Sequence, residues 1–211
     1  MTAPAREPDP EPAREPAREP AREPGALRGR EVTEEALRVA AIGLLRREGI
    51  LAGLNLREVA DKAGVNRGLV YQYFGSRRGL LRSALFHRAK ANADDAGEAA
   101  RLPLRERLSR LFWTNLRRPE PIVLTTLLVL DGDDRARVLP DRGESRARLA
   151  ESASHGELAT GDVEAVQAAL ASTIYGYTLF REQLAREIGL PVDELDARMD
   201  RCVQSLFTTT D

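Results

Sequence analysis

Between Leu54 and Leu81 the chain reads LNLREVADKAGVNRGLVYQYFGSRRGLL, and its punctuation forces two short helices into a sharp corner. Asn55 can cap the first helix by accepting a backbone N–H, with Glu58 three residues on able to bond back. Val59, Ala60 and Ala63 give that helix an apolar face, and Ala60 is small where a second helix must cross closely. Gly64 stands where the helix has to stop, and glycine enters the left-handed conformation without a Cβ penalty. Val65 is then a plug beneath the turn and Asn66 a cap for the next helix, whose Val70, Tyr73 and Phe74 recur at three- and four-residue steps as its buried face. Gly68, Tyr71 and Gln72 point the other way, with Arg67 on the N-terminal flank. In a helix-turn-helix the second helix lies in the major groove with its N-terminal residues foremost, so these groups are placed to reach base edges or phosphates.

The segment resembles the DNA-binding domain of the TetR family of one-component transcriptional regulators. The matching residues are Glu48 and Gly49 closing the preceding helix, Val59-Ala60, Ala63-Gly64-Val65, Tyr71, Tyr73-Phe74, Arg77 and Leu80-Leu81, within roughly residues 33 to 85. The resemblance implies that Arg57, Arg67, Gly68, Leu69, Tyr71, Gln72 and Tyr73 lie at or near DNA beside the capping Asn66, with Arg77 on a phosphate. Family members usually carry Ser or Thr where Asn55 and Asn66 stand, and Lys-Glu in place of Arg77-Arg78. Both asparagines still cap, Arg77 keeps the charge, and Arg78 adds to the attraction for phosphate. Two blander readings stay open: a helix-turn-helix pattern in an all-α protein is sometimes only a tight corner, and Arg57 an ordinary solvated arginine.

Composition supports a helical DNA binder once charge is mapped along the chain. The net charge of -1 argues alone against a nucleic-acid partner, but residues 26–90 hold 13 Lys and Arg against 6 Asp and Glu, while residues 91–211 hold 15 against 21. Positive charge therefore sits with the motif, as attraction to phosphate requires. Few aromatics and abundant Ala, Leu, Arg and Glu favour helix. The expected fold is all-α: a disordered arm over 1–25, a three-helix DNA-binding domain with its linking helix over 26–90, and a helical effector-binding and dimerisation domain over 91–211.

Ala-Arg-Glu-Pro units repeat through Pro24, and a proline every fourth residue disfavours helix while offering nothing to bury. The arm is either a solvated extension or a lead-in that lets Arg28 and Arg30 reach phosphate or the minor groove. The first helix is expected from Thr33, as cap, to Glu48, with Leu37, Ala40, Ala41, Leu44 and Leu45 as its stripe. A fourth runs from Arg77 to Asn92 and carries Leu80, Leu81, Ala84 and Leu85.

Further on, Leu104 to Arg118 is amphipathic, Ile122 to Leu130 almost wholly apolar and so buried, and 142–155 more charged. From Asp162 the residues Val163, Val166, Leu170, Ile174, Tyr177, Phe180 and Leu184 form one long stripe. Pro191 suits the first turn of a last helix bearing Leu195, Met199, Cys202, Val203 and Leu206, with Cys202 read as core. Small residues Ala169, Ser172, Thr173 and Gly176 permit close helix approach. The resemblance implies that the last two helices pair with the same two of a second subunit, as a homodimer reading a pseudo-palindromic operator; packing within a single subunit is the alternative.

The resemblance also implies a pocket for a small-molecule effector among the middle helices. Phe112, Trp113, Tyr175, Tyr177 and Phe180 are candidate lining groups and Arg181 or Asn115 candidate polar handles, unless they are simply core; their scarcity of charge points to an apolar or aromatic ligand. No zinc-binding helix, nucleophile elbow, phosphate loop or dinucleotide fingerprint occurs, and His87 and His155 are far apart, so neither enzyme activity nor a cofactor or metal is expected. A lone cysteine and the lack of an apolar leader or membrane span lead to the expectation of a cytoplasmic protein. The function expected is that of a repressor released from its operator by an effector; an activator of the same fold, or a helical protein that turns its basic face to another partner, are the alternatives.

Overall fold

The computed structural model describes residues 24–48, 54–99, 102–140 and 142–209, and among these the regular structure is nine helices. Of the arm expected over 1–25, residues 1–23 lie outside the described residues, as does Gly49, while Pro24 and Gly25 belong to the first helix.

Helix α1 (Pro24–Glu48) starts nine residues before the expected Thr33. Proline is tolerated in a first turn, where its missing N–H costs nothing, and Arg30 pairs one turn on with Glu34 at 2.7 Å. Thr33 is thus an interior residue rather than a cap, its hydroxyl donating to the Gly29 carbonyl at 2.8 Å. Leu37, Ala40, Ala41, Leu44 and Leu45 are buried as the stripe predicts.

Helices α2 (Leu56–Ala63) and α3 (Arg67–Phe74) form the corner. Asn55 Oδ1 accepts from the Arg57 N–H at 3.0 Å and Asn66 Oδ1 from the Gly68 N–H at 2.8 Å. Glu58 meets the Asn55 side-chain amide at 2.9 Å rather than its backbone N–H, so only half of the anticipated reciprocal cap is made. Gly64 lies at φ 68°, ψ 30°, and the Val65 N–H donates to Ala60 O at 3.0 Å, the six-to-one bond that closes a helix ending in a left-handed residue. Val59, Ala60 and Val70 are buried, with Val65, Tyr73 and Phe74 packed against them.

Helix α4 (Arg77–Ala99) continues a further two turns past Asn92, where Ala93, Ala96 and Ala99 recur at three-residue steps. Gly79 lets it leave α3 so abruptly: a Cβ there would sit 1.9 Å from the Phe74 carbonyl oxygen.

Helices α5 (Leu104–Arg117), α6 (Glu120–Leu130), α7 (Arg142–Ser154), α8 (Val163–Ile188) and α9 (Val192–Phe207) follow. Pro121 fits the first turn of α6, whereas Pro191 caps α9 instead of entering it. Two cores result. One joins α1 to α4 and takes Leu124 and Leu128 of α6; the other joins α5, α7, α8 and α9 and takes Ile122 of α6. Helix α6 therefore belongs to both halves of the molecule.

Three expectations of burial fail at the surface. The end of α6 emerges, with Leu130 76% exposed. The α8 stripe is buried from Val163 to Tyr177 but surfaces at Phe180, which is 59% exposed. Cys202, read as core, is exposed, as is Leu206, because the side of α9 that packs on α5 and α8 is the one bearing Leu195, Val203 and Phe207.

Candidate nucleic-acid interface

The two Asx caps and the Gly64 turn fix the start of α3, so its outward side chains stand on a rigid base. Arg67, Gly68, Tyr71 and Gln72 are all exposed on one side, while Val70 behind them is fully buried. The helix carries no acidic residue that would repel phosphate. Arg67 leans along α3 with its guanidinium carbon 5.8 Å from the Tyr71 ring centroid, within cation–π range. An Nη2–Oη distance of 3.4 Å makes the accompanying hydrogen bond to the Tyr71 hydroxyl weak. Both groups are thus presented together and lightly held.

Arg57, on the first turn of α2, is exposed, as is Asn66, whose side-chain oxygen is already committed to the cap. Leu69 and Tyr73 are half-buried and form the rim of α3. The Arg30 guanidinium lies over the Tyr73 ring at 5.1 Å from its centroid.

Arg77, expected on a phosphate, is engaged within the protein. Its Nη2 donates to Asp131 Oδ1 at 2.8 Å, and Arg78 Nε donates to the other oxygen of the same carboxylate at 2.6 Å. Arg78 also donates to the Asp131 backbone carbonyl. One turn further along α4, Arg82 grips Asp133 with two bonds of 2.6 and 2.7 Å. Two arginines at the start of a helix oppose its dipole; the carboxylate of Asp131, at the C-terminal end of α6, offsets that mismatch. Hydrogen bonding from Arg78, with Arg77 adding to it, holds the Asp131 carboxyl below its ordinary range. Asp133 is fully covered, and the Arg82 fork, aided by the Arg135 N–H at 2.9 Å, lowers it to about 2. Sequence reasoning missed this clasp. Asp131-Gly132-Asp133 reads as a helix stop, and nothing in linear spacing shows that it folds back across fifty residues onto α4.

The proposed pocket residues do not converge on one cavity. Phe112 is buried, stacked on Tyr177 at 5.4 Å and met edge-on by Trp113 at 5.7 Å. The Tyr177 hydroxyl donates to Asp196 Oδ1 at 2.8 Å, and Arg181 reaches Asp196 Oδ2 at 3.1 Å. Burial, reinforced by Asp196, pushes the Tyr177 phenol well up, so it stays protonated. Tyr175 donates to Val138 O at 3.2 Å and the Asn115 amide to Leu111 O at 2.8 Å. Phe180 points to solvent. An open groove of about 400 Å³ along α5 touches Trp113 alone of these seven, and is lined otherwise by groups such as Arg105, Ser109, Arg110 and Gln204. Among the described residues no helix is long and apolar enough to cross a membrane.

Residues 37–84 match the family model described as bacterial regulatory proteins, tetR family. No curated protein matches the chain. Among solved structures, the chain is similar to a Streptomyces coelicolor protein assigned as a transcriptional regulator, at 22% identity over 83% of this chain and 98% of that one, with a TM-score of 0.62. It is similar to a TetR family transcription regulator from Marinobacter aquaeolei VT8, at 17% identity over 87% and 100% of the two chains, with a TM-score of 0.61. It also resembles NalD, the secondary repressor of the MexAB-OprM multidrug efflux pump in Pseudomonas aeruginosa, at 19% identity over 87% and 100%, with a TM-score of 0.61. At these identities the likeness is one of fold.

Proposed function

Given that the chain belongs, through residues 37–84, to the tetR family of bacterial regulatory proteins and is a DNA-binding transcription regulator, we propose that it is a homodimeric repressor whose two α3 helices read successive major grooves and whose C-terminal helices bind a small effector that lowers operator affinity. The observation that carries this reading is the exposed row Arg67, Gly68, Tyr71 and Gln72 on a helix fixed at its start by Asn66 and backed by buried Val70. Glycine within the row lets the groove wall approach the backbone closely, while arginine, tyrosine and glutamine supply donors and acceptors for base edges and phosphates.

Dimerisation draws support from what α8 and α9 leave uncovered. Ala165, Ala169, Ser172 and Phe180 follow one another at three-, four- and eight-residue steps along the outer side of α8 and are all exposed; Cys202 and Leu206 are exposed on α9. A face of small residues with one large apolar group is poorly suited to water and well suited to close helix packing. Two-fold pairing there presents two recognition helices to half-sites about one helical turn apart, or a multiple of it. A dimer lying over adjacent major grooves occludes a promoter by occupancy alone, which is why repression is the sign assigned.

Release by an effector needs a mechanical path, and α6 supports one. With Leu124 and Leu128 in the core of the DNA-binding head and Ile122 in the other core, a shift of α6 cannot leave the head in place. Asp131 and Asp133 tie the end of the same helix to Arg77, Arg78 and Arg82 at the start of α4. Selection of bound sites from random duplex DNA tests the reading: one enriched pseudo-palindrome is expected, and enrichment of none overturns it. Placing that site in a promoter and following transcription with and without protein tests the sign.

A further inference from the structure

We propose that Arg30 is a DNA-contacting residue, its guanidinium taking a backbone phosphate beside the groove that α3 enters. This rests on the reading of α3 as the recognition helix. Among the described side chains of α1, those buried against the head begin at Leu37, yet the helix starts at Pro24. At about 1.5 Å per residue, the thirteen residues that precede Leu37 carry the helix roughly 20 Å beyond it. That extension runs beside α3, because Arg30 lies on the Tyr73 ring, 5.1 Å from its centroid.

The manner in which Arg30 is held matters more than its sign. Its Nε donates to Glu34 at 2.7 Å, and its guanidinium carbon lies over the Tyr73 ring. Those two contacts fix the guanidinium while using one of its five N–H groups. The two terminal nitrogens have no acceptor among the described residues, and the side chain is 43% exposed. Glu34 does not simply cancel the charge, since it is shared with Arg38 at 3.5 Å. An arginine immobilised by its Nε edge and its face, with the Nη fork left open on the rim of a recognition helix, is prepared for bidentate capture of an anion. The anion that a DNA-bound α3 brings to that rim is the sugar-phosphate backbone.

The test is the salt dependence of binding by full-length protein to one selected duplex and to a random duplex of equal length. Removing one phosphate contact lowers the slope of log K against log salt by about 0.9. Arg30→Ala is expected to lose that increment on both duplexes alike, with the sequence preference kept and thermal unfolding unchanged within a few degrees. Arg30→Lys, which keeps the charge, is expected to recover most of the slope without the full affinity, because lysine lacks the fork. A wild-type slope for Arg30→Ala overturns the proposal and leaves the reading of α3 intact. An equal loss for Arg30→Ala and Arg30→Lys accompanied by a lower melting temperature also overturns it, since that is the mark of a merely structural residue. Wild-type protein that binds neither duplex brings down both.

Discussion

Arg77 and Asp131 lie 54 residues apart in sequence and 2.8 Å apart in space, so that a basic group at the foot of the DNA-binding head is held by the residue that caps the C-terminal end of α6, the helix shared by both cores. The same carboxylate takes Arg78. On the proposal that these two arginines also meet the DNA backbone, phosphate and Asp131 compete for them. Asp131→Asn is therefore expected to tighten binding to DNA of any sequence at low salt, and to steepen the salt dependence by about 0.9 for each arginine freed. Titration of labelled duplex across a salt series checks this; a slope no steeper than wild type speaks against competition.

Asp133 makes the clasp sensitive to acid. The Arg82 hydrogen bonds hold its carboxyl down to about 2 in the folded protein, from an ordinary 3.8. A depressed carboxylate contributes stability that is complete above the unfolded value and is lost as pH falls through the folded one. Wild-type protein should lose thermal stability between about pH 4 and pH 2, and Asp133→Asn should be less stable than wild type at pH 6, with the gap narrowing towards pH 2. Melting curves at several pH values decide it, and a gap that stays constant with pH contradicts the assignment.

Gly79 bears on the junction of α3 and α4. A Cβ added there would stand 1.9 Å from a backbone oxygen that cannot swing aside. Gly79→Ala should destabilise the head by about 1–3 kcal/mol or more, the usual range for overpacking. Chemical denaturation followed by circular dichroism measures it. A variant as stable as wild type means that α4 leaves α3 differently.

Phe180 and Leu206 are the large apolar groups left on the outer sides of α8 and α9. Replacing either by Asp puts charge where two subunits are proposed to meet. Sedimentation should show dimer for wild type and monomer for Phe180→Asp, with operator affinity falling because two half-sites are no longer read by one particle. A variant that stays dimeric places the interface elsewhere.

Local chemistry was readable where it acts over a few residues. Asn55, Gly64 and Asn66 shape the corner in the way their side chains and backbone freedom dictate, and Val59, Ala60 and Val70 fill it. Reading failed where the outcome depends on what arrives from far along the chain. Thr33 has the chemistry of a cap, but alanine, leucine and the Arg30–Glu34 pair carry the helix past it. Phe180 continues the three- and four-residue stripe, yet it is exposed, and it is Arg181 beside it that turns to Asp196 of α9. The union of Arg77 and Arg78 with Asp131 has no signature in spacing at all, because an ion pair between distant segments is set by the fold. The seven aromatic and polar residues proposed to line a pocket show the same limit: periodicity identified Tyr177 as inward-facing but not that it would stack on Phe112.

The central claim is that the outer face of α3 reads DNA sequence. Binding of wild-type protein and the Arg67→Ala, Tyr71→Ala double variant to the selected operator and to random duplex, at fixed salt, tests it most directly. Each base-reading side chain is expected to contribute about 1–3 kcal/mol, so the double variant should lose the preference for the operator while retaining weak, salt-dependent binding to both duplexes and an unchanged oligomeric state. Undiminished preference for the operator would place sequence recognition outside α3 and contradict the account.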